Sequence, residues 1–221
     1  MLYESVGLNG QSDVRVLDPK TGATLHILYT LSGTYFGEGL TYRHEHLYQL
    51  TYKQKTLFVY TLPDEGTPHA LVTATATAHN STTTTNTKKN ILAVPHEYSY
   101  DTITHEGWGF TWDPERDEFI VSDGSAKLLF WSTEPPYIPL RTLDIYRLST
   151  TTTTTTKKDG TSISQRGPPA RQINELEYWR GRILANVWYE DVILVIHPST
   201  GVVEKEYGTF IAADAIGSKN V

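Results

Sequence analysis

Outside two polar tracts, apolar positions come in runs of four to eight residues that alternate with polar ones and stop at Gly, Asp, Pro or Asn. Alternation on that scale is the pattern of half-buried strands, and no apolar stripe recurs at the 3.6-residue spacing of a helix. The pattern predicts an all-β chain whose strands come in similar sets. Glu38-Gly-Leu-Thr-Tyr42, Trp108-Gly-Phe-Thr-Trp112 and Asn174-Glu-Leu-Glu-Tyr178 can be laid over one another. Each runs through a charged turn (Arg43 to His46, Asp113 to Arg116, Arg180 to Arg182) into a second strand: Leu47 to Leu50, Phe119 to Ser122, Ile183 to Asn186. A third follows at Leu57 to Tyr60, Leu128 to Trp131 and Val192 to Ile196. The N-terminus joins this series in mid-unit, with Leu2 to Ser5 matching a second strand and Val14 to Leu17 a third. Asp18-Pro-Lys-Thr-Gly22 and His197-Pro-Ser-Thr-Gly201 then occupy the same hairpin, Pro presetting the turn and Gly supplying positive φ.

The tracts, 76–90 and 149–166, are rich in Thr and carry paired lysines, Lys88-Lys89 and Lys157-Lys158. They carry too few apolar groups to offset the entropy of ordering and read as disordered insertions in surface loops. With them set aside, the block heads recur near the ~40–50-residue period of a propeller blade, leaving about four blades in a single domain over 1–221. A jelly roll or sandwich is the lesser alternative, because a period does not dictate how sheets pack.

Composition narrows the chemistry. With 19 Lys+Arg, 25 Asp+Glu and a net charge of −6, the chain has no basic surface for nucleic acid, and the absence of Cys excludes disulfides, Cys-ligated zinc and a thiol nucleophile. No apolar run approaches the ~20 residues of a membrane helix, and the first residues lack the pattern of a signal peptide.

In a propeller the first strand of every blade lines the central channel, so Glu38, Trp108 and Asn174 should converge on one mouth. Tyr52 and Trp188, at matching distances after Glu38 and Asn174, should form a second ring there. One carboxylate among aromatics and an amide suits a small polar ligand. Trp walls exclude water and raise the carboxyl pKa toward general acid/base work, while Asn and indole N–H groups can hold a carbonyl. The plainer reading has the same residues packing and capping turns.

An ordered series of fragments resembles the plant and bacterial type of glutaminyl-peptide cyclotransferases (glutaminyl cyclases). It comprises Leu2-Tyr-Glu-Ser5 with Gly7 to Ser12, Phe36-Gly-Glu-Gly-Leu-Thr41 with Leu47 to Thr51, Gly107-Trp108-Gly-Phe-Thr111 with Val121 to Ser125, Ile173 to Glu177, and Ala185-Asn-Val-Trp188. The resemblance implies a five-bladed β-propeller that converts an N-terminal glutamine of a peptide or protein to pyroglutamate with release of ammonia, without a cofactor. It implies Glu38 as general acid/base and Trp108, Asn174 and Trp188 as substrate-binding residues. Tyr52 stands where the family usually has Trp. A secretory or periplasmic setting is also implied; the chain itself is expected to be a monomer with no nucleic-acid or membrane partner. The family's opening Phe-Thr-Gln-Gly-Leu motif and its closing Leu-Asn-Gly-Ile-Ala and Thr-Gly-Lys region have no counterpart in residues 1–221, so the ring is expected to be truncated at both ends and the chain alone poorly stable or inactive.

Three signals have plainer explanations. His44-Glu45-His46 falls in a charged hairpin turn and lacks further metal ligands in reach. Ser122-Asp-Gly-Ser125 lacks a nucleophile elbow and reads as a turn. Glu175 and Glu177, placed by alternation on the face opposite Leu176, are expected to be solvated or paired with Arg180 and Arg182. If they turned inward beside Glu38, the mouth would resemble the calcium site of lactonase-type propellers, a rival enzyme reading. A non-catalytic interaction platform is the other alternative.

Overall fold

The computed structural model describes residues 1–62, 92–148, 154–156, 162–164 and 167–208, and contains no helix among them. β1 (Leu2–Val6), β2 (Asp13–Leu17) and β3 (Thr24–Thr30) form a three-stranded sheet, and β4 (Gly37–Arg43), β5 (His46–Thr51), β6 (Thr56–Thr61) and β7 (His96–Ser99) a four-stranded one. β8 (Phe110–Asp113), β9 (Glu118–Val121), β10 (Lys127–Ser132) and β11 (Pro139–Asp144) make the third. A short antiparallel ladder of β12 (Thr154–Thr156) and β13 (Ser162–Ser164) precedes the fourth sheet, β14 (Ile173–Trp179), β15 (Arg182–Val187), β16 (Glu190–Ile196) and β17 (Val203–Gly208). Each of the four larger sheets is an antiparallel meander in chain order. The leading strand of each adjoins the next, β1 against β4, β4 against β8 and β8 against β14, which is the blade arrangement of a propeller, with β1, β2 and β3 matching the second, third and fourth strands of the other blades.

The core lies between blades. One cluster sets Leu28 and Val14 against Leu47, Phe58 and Tyr60; a second sets Leu50 and Leu57 against Phe110, Phe119 and Trp131; a third sets Phe130 and Leu128 against Ile183, Leu194 and Ile196. Each fully buried side chain of this size contributes about 1.5–3 kcal/mol relative to exposure. Middle strands have neighbours on both faces, so β6 and β10 read as continuous apolar runs. The outer strands β7, β11 and β17 are absent from the sequence-based sets for the same reason inverted. They are largely exposed, carry mixed polar and apolar residues, and β11 begins at Pro139.

The two equivalent hairpins turn as their sequences require, with Gly22 at φ 71° and Gly201 at φ 69°. Tract 76–90 lies outside the described residues. Of 149–166, six residues pair in the β12–β13 ladder, in contrast to the disorder expected there.

Candidate functional site

Three of the four blades begin with the same irregularity. Between β4 and β5 the register runs from Gly37↔Thr51 to Leu40↔Gln49, so Glu38 and Gly39 share one partner position. Between β14 and β15 it runs from Ile173↔Val187 to Leu176↔Ala185, so Asn174 and Glu175 do likewise. In the third sheet Trp108 N donates to Ser122 O and Ser122 N donates to Gly109 O, again two residues against one. Such a bulge re-aims the side chains it carries. Glycine at the second bulge position lets neighbouring blades touch. A Cβ on Gly39 would lie 2.5 Å from Phe110 N, and one on Gly109 would lie 2.1 Å from Asn174 O.

The bulges aim Glu38, Trp108 and Asn174 into one cavity of about 470 Å³, which Tyr52 and Trp188 also line. The five residues singled out in the sequence therefore meet. Trp108 and Trp188 stand edge to face, ring centroids 5.1 Å apart at 80°, and Trp188 stacks on Tyr189 at 4.6 Å. Phe36 packs at 60° against Tyr52. In the third blade the place equivalent to Tyr52 and Trp188 is Gly124, and the Trp108 indole fills that space, 2.7 Å from where a Cβ would be.

Burial is the largest cause raising the Glu38 pKa, to about 8, followed by the charges of Glu175 and Glu106. Neither its carboxylate nor the Asn174 side chain has a hydrogen-bond partner among the described residues, and both face the cavity. Trp108 differs from expectation. Its indole N–H donates to Glu106 Oε2 at 3.1 Å, so it builds the wall while its polar atom serves Glu106, which also pairs with Lys53 at 3.3 Å. A buried chain reaches the cavity from below, where Tyr60 O–H donates to Gln49 Oε1 and Gln49 Nε2 donates to Ser5 Oγ, each at 2.7 Å. Ser5 lines the cavity with its own proton still to donate.

Glu175 and Glu177 are both exposed, as the expectation of solvation has it, but the alternation that set them on one face fails at Glu175. Alternation assumed a regular strand, and the bulge breaks it, turning Glu175 into the cavity beside Glu38 while Glu177 faces the opposite end of the channel. Neither pairs with the two arginines: Arg182 binds Glu204 and Arg180 lies over the Trp179 ring. Glu175 Oε1 accepts from Leu176 N at 3.0 Å and Phe110 N at 3.3 Å. Its surface is open, but open to the cavity, with protein on most sides. Burial accordingly raises its pKa to about 7 against the opposing pull of those two N–H groups. The signal that could have revealed it is the departure from pattern at the second bulge position, Glu175 where the other heads have Gly39 and Gly109.

The plainer explanations hold elsewhere. His44 and Glu45 take positive φ in a tight hairpin loop, and His46 Nδ1 lies 2.7 Å from His44 O. Ser122 Oγ accepts from Gly109 N and donates to Asn174 O, binding two blades. Among the described residues no group of three or more His, Cys, Asp or Glu is placed to hold a metal ion.

A family model described as glutamine cyclotransferase matches residues 1–69 and 64–216. The glutaminyl-peptide cyclotransferase of Arabidopsis thaliana is 31% identical over 201 residues, covering 90% of this chain and 47% of that protein, so the chain spans about half the length of this curated relative. Among solved structures, the glutaminyl cyclase of Myxococcus xanthus superposes with a TM-score of 0.65 at 23% identity, covering 99% of this chain and 71% of that one, a likeness of fold.

Proposed function

We propose, because this chain belongs to the glutamine cyclotransferase family, that it converts the N-terminal glutamine of a peptide or protein to pyroglutamate with release of ammonia, in the cavity around Glu38. The observation that carries this reading is a desolvated carboxylate without a protein partner among the described residues, enclosed by indole, phenol and amide groups. In the reaction the substrate α-nitrogen attacks its own side-chain carbonyl carbon, a C–N bond closes the five-membered lactam, and the amide C–N bond breaks. Both reacting groups belong to one residue, so holding its rotamer supplies much of the acceleration as effective molarity.

Glu38 suits the proton transfer. It takes the proton lost by the attacking amine and returns it to the departing nitrogen, and a pKa of about 8 makes both steps accessible near neutrality. Asn174 Nδ2 and the Trp188 indole N–H, neither engaged by protein among the described residues, are the donors for the tetrahedral oxyanion. Trp108, its N–H held by Glu106, shapes the wall against which the glutamine methylenes pack. The peptide leaves through the open mouth, so recognition concentrates on the terminal residue.

The test is ammonia release from a short peptide with N-terminal Gln by the wild-type chain and Glu38→Gln, with and without chelator. Chelator-resistant turnover that disappears in Glu38→Gln is expected. A folded chain that releases no ammonia, or a Glu38→Gln variant that turns over normally, overturns the reading.

A further inference from the structure

We infer that Glu175 receives the substrate's N-terminal ammonium group, making the free α-amine, and not the glutamine side chain alone, a requirement for binding. The inference rests on the cyclisation reading and deepens it. Two carboxylates, Glu38 and Glu175, line the cavity, and among the described residues no Lys or Arg lines it with them. Lys53, beside the lining Tyr52, is committed to Glu106 at the rim. Two neighbouring carboxylates without a counter-ion are costly to desolvate, and a cation seated between them offsets that cost. The N-terminus of a peptide is such a cation, titrating near pH ~8.

The two carboxylates are held differently. Glu175 Oε1 is pinned by the backbone N–H groups of Phe110, from the neighbouring blade, and Leu176, and its second oxygen has no protein partner among the described residues. Glu38 has no such tether. A pinned carboxylate with one free oxygen is a binding group, whereas an untethered one can follow a proton from the amine to the leaving nitrogen. Burial raises the pKa of both, and the Glu175 charge adds to the rise at Glu38, so a cation seated beside them relieves both costs.

A purely structural role is also available to Glu175, since its Oε1 satisfies the Phe110 N–H. Glu175→Gln separates the two, because an amide oxygen keeps that bond and loses the charge. Binding is measured by tryptophan fluorescence, which Trp108 and Trp188 report from the cavity wall, in the Glu38→Gln background where the peptide survives. The probes are a short N-terminal Gln peptide and its Nα-acetylated form. The free-amine peptide is expected to bind at least ~10-fold tighter than the acetylated one, the size of one hydrogen bond to a charged group. Adding Glu175→Gln is expected to erase that preference and leave acetylated-peptide affinity unchanged. Glu175→Asp, which keeps the charge on a shorter arm, is expected to retain part of the preference and stands in should Glu175→Gln not fold. A preference that survives Glu175→Gln, a preference undiminished in Glu175→Asp, or no preference in the Glu38→Gln background overturns the inference. Ammonia release by wild type, read in parallel, reports on cyclisation separately. Turnover without a Glu175-dependent preference defeats this inference alone, and a Glu175-dependent preference without turnover defeats cyclisation alone.

Discussion

Among the described residues, two mouths of similar size open at opposite ends of the inner strands, about 470 Å³ around Glu38 and about 380 Å³ around Tyr3, Tyr42, Trp112 and Glu177. Both hold glutamate among aromatic rings, and they differ in number and company: Glu177 alone at the second, Glu38 and Glu175 with the Asn174 amide at the first. Beside the second mouth Arg43 grips Asp117 with two bonds of 2.8 and 2.9 Å, Asp117 also accepts from the indole of the lining Trp112, and Tyr3 stacks on Tyr42, while the lining Glu177 has no partner among the described residues and its pKa is raised by burial. Arg43 pulls the Asp117 carboxyl down to about 2. At the first mouth Glu38 and Asn174 have no protein partner among the described residues, and two carboxylates are raised together. Bulges make the difference. They occur at the first mouth in three blades, while β4, β8 and β14 pair regularly with their neighbours toward the second. A carboxylate among rings, even one without a partner such as Glu177, is thus no sign of chemistry by itself; two neighbouring carboxylates and an unpaired amide converging on one cavity are the better one.

The most severe test of this contrast is Glu38→Gln, expected to lower kcat by about 10²–10⁴, the usual worth of a general acid/base, with the fold retained by circular dichroism. Asn174→Ala should follow, with a loss of about 10²–10³ in kcat if its amide serves the oxyanion. Gly109→Ala acts through packing. Its Cβ would meet Asn174 O, so thermal unfolding should show about 1–3 kcal/mol of lost stability, with activity falling as the bulge shifts.

The pH dependence is subtler. A Glu38 pKa raised from 4.5 to about 8 means the folded state holds this proton more tightly than the unfolded chain. Its contribution to stability is full below about 4.5 and is lost as pH rises through about 8. Glu38→Gln should therefore gain melting temperature over wild type at pH 9 and not at pH 4. Removing the Glu106 charge with Glu106→Gln relieves a repulsion on Glu38, so the acid limb of kcat/KM should move to lower pH. The smallest effect belongs to the second mouth: Glu177→Gln should change kcat/KM by less than about twofold, as surface substitutions away from a site do. A large loss there would erase the distinction between the mouths.

Much of this was legible along the chain. Strands buried on both faces, such as Leu57 to Tyr60 and Leu128 to Trp131, declare themselves as apolar runs, and the repeated heads identify equivalent positions, so Glu38, Trp108 and Asn174 could be predicted to converge. The exposed fourth strands could not, because β7 and β11 carry no periodic apolar face to read. Nor could the partner of the Trp108 indole, since Glu106 reaches it from a loop rather than from the repeat.

The sequence by itself determined the β class, the blade period and the ring of chemically distinctive heads, because these follow from side-chain alternation and spacing within one strand set. Only the tertiary structure decided where Glu175 points and which polar groups stay unpaired. A bulge is a mismatch in count between two paired strands, and neither strand records it alone. Desolvation is a property of the enclosed cavity, built by blades distant in sequence.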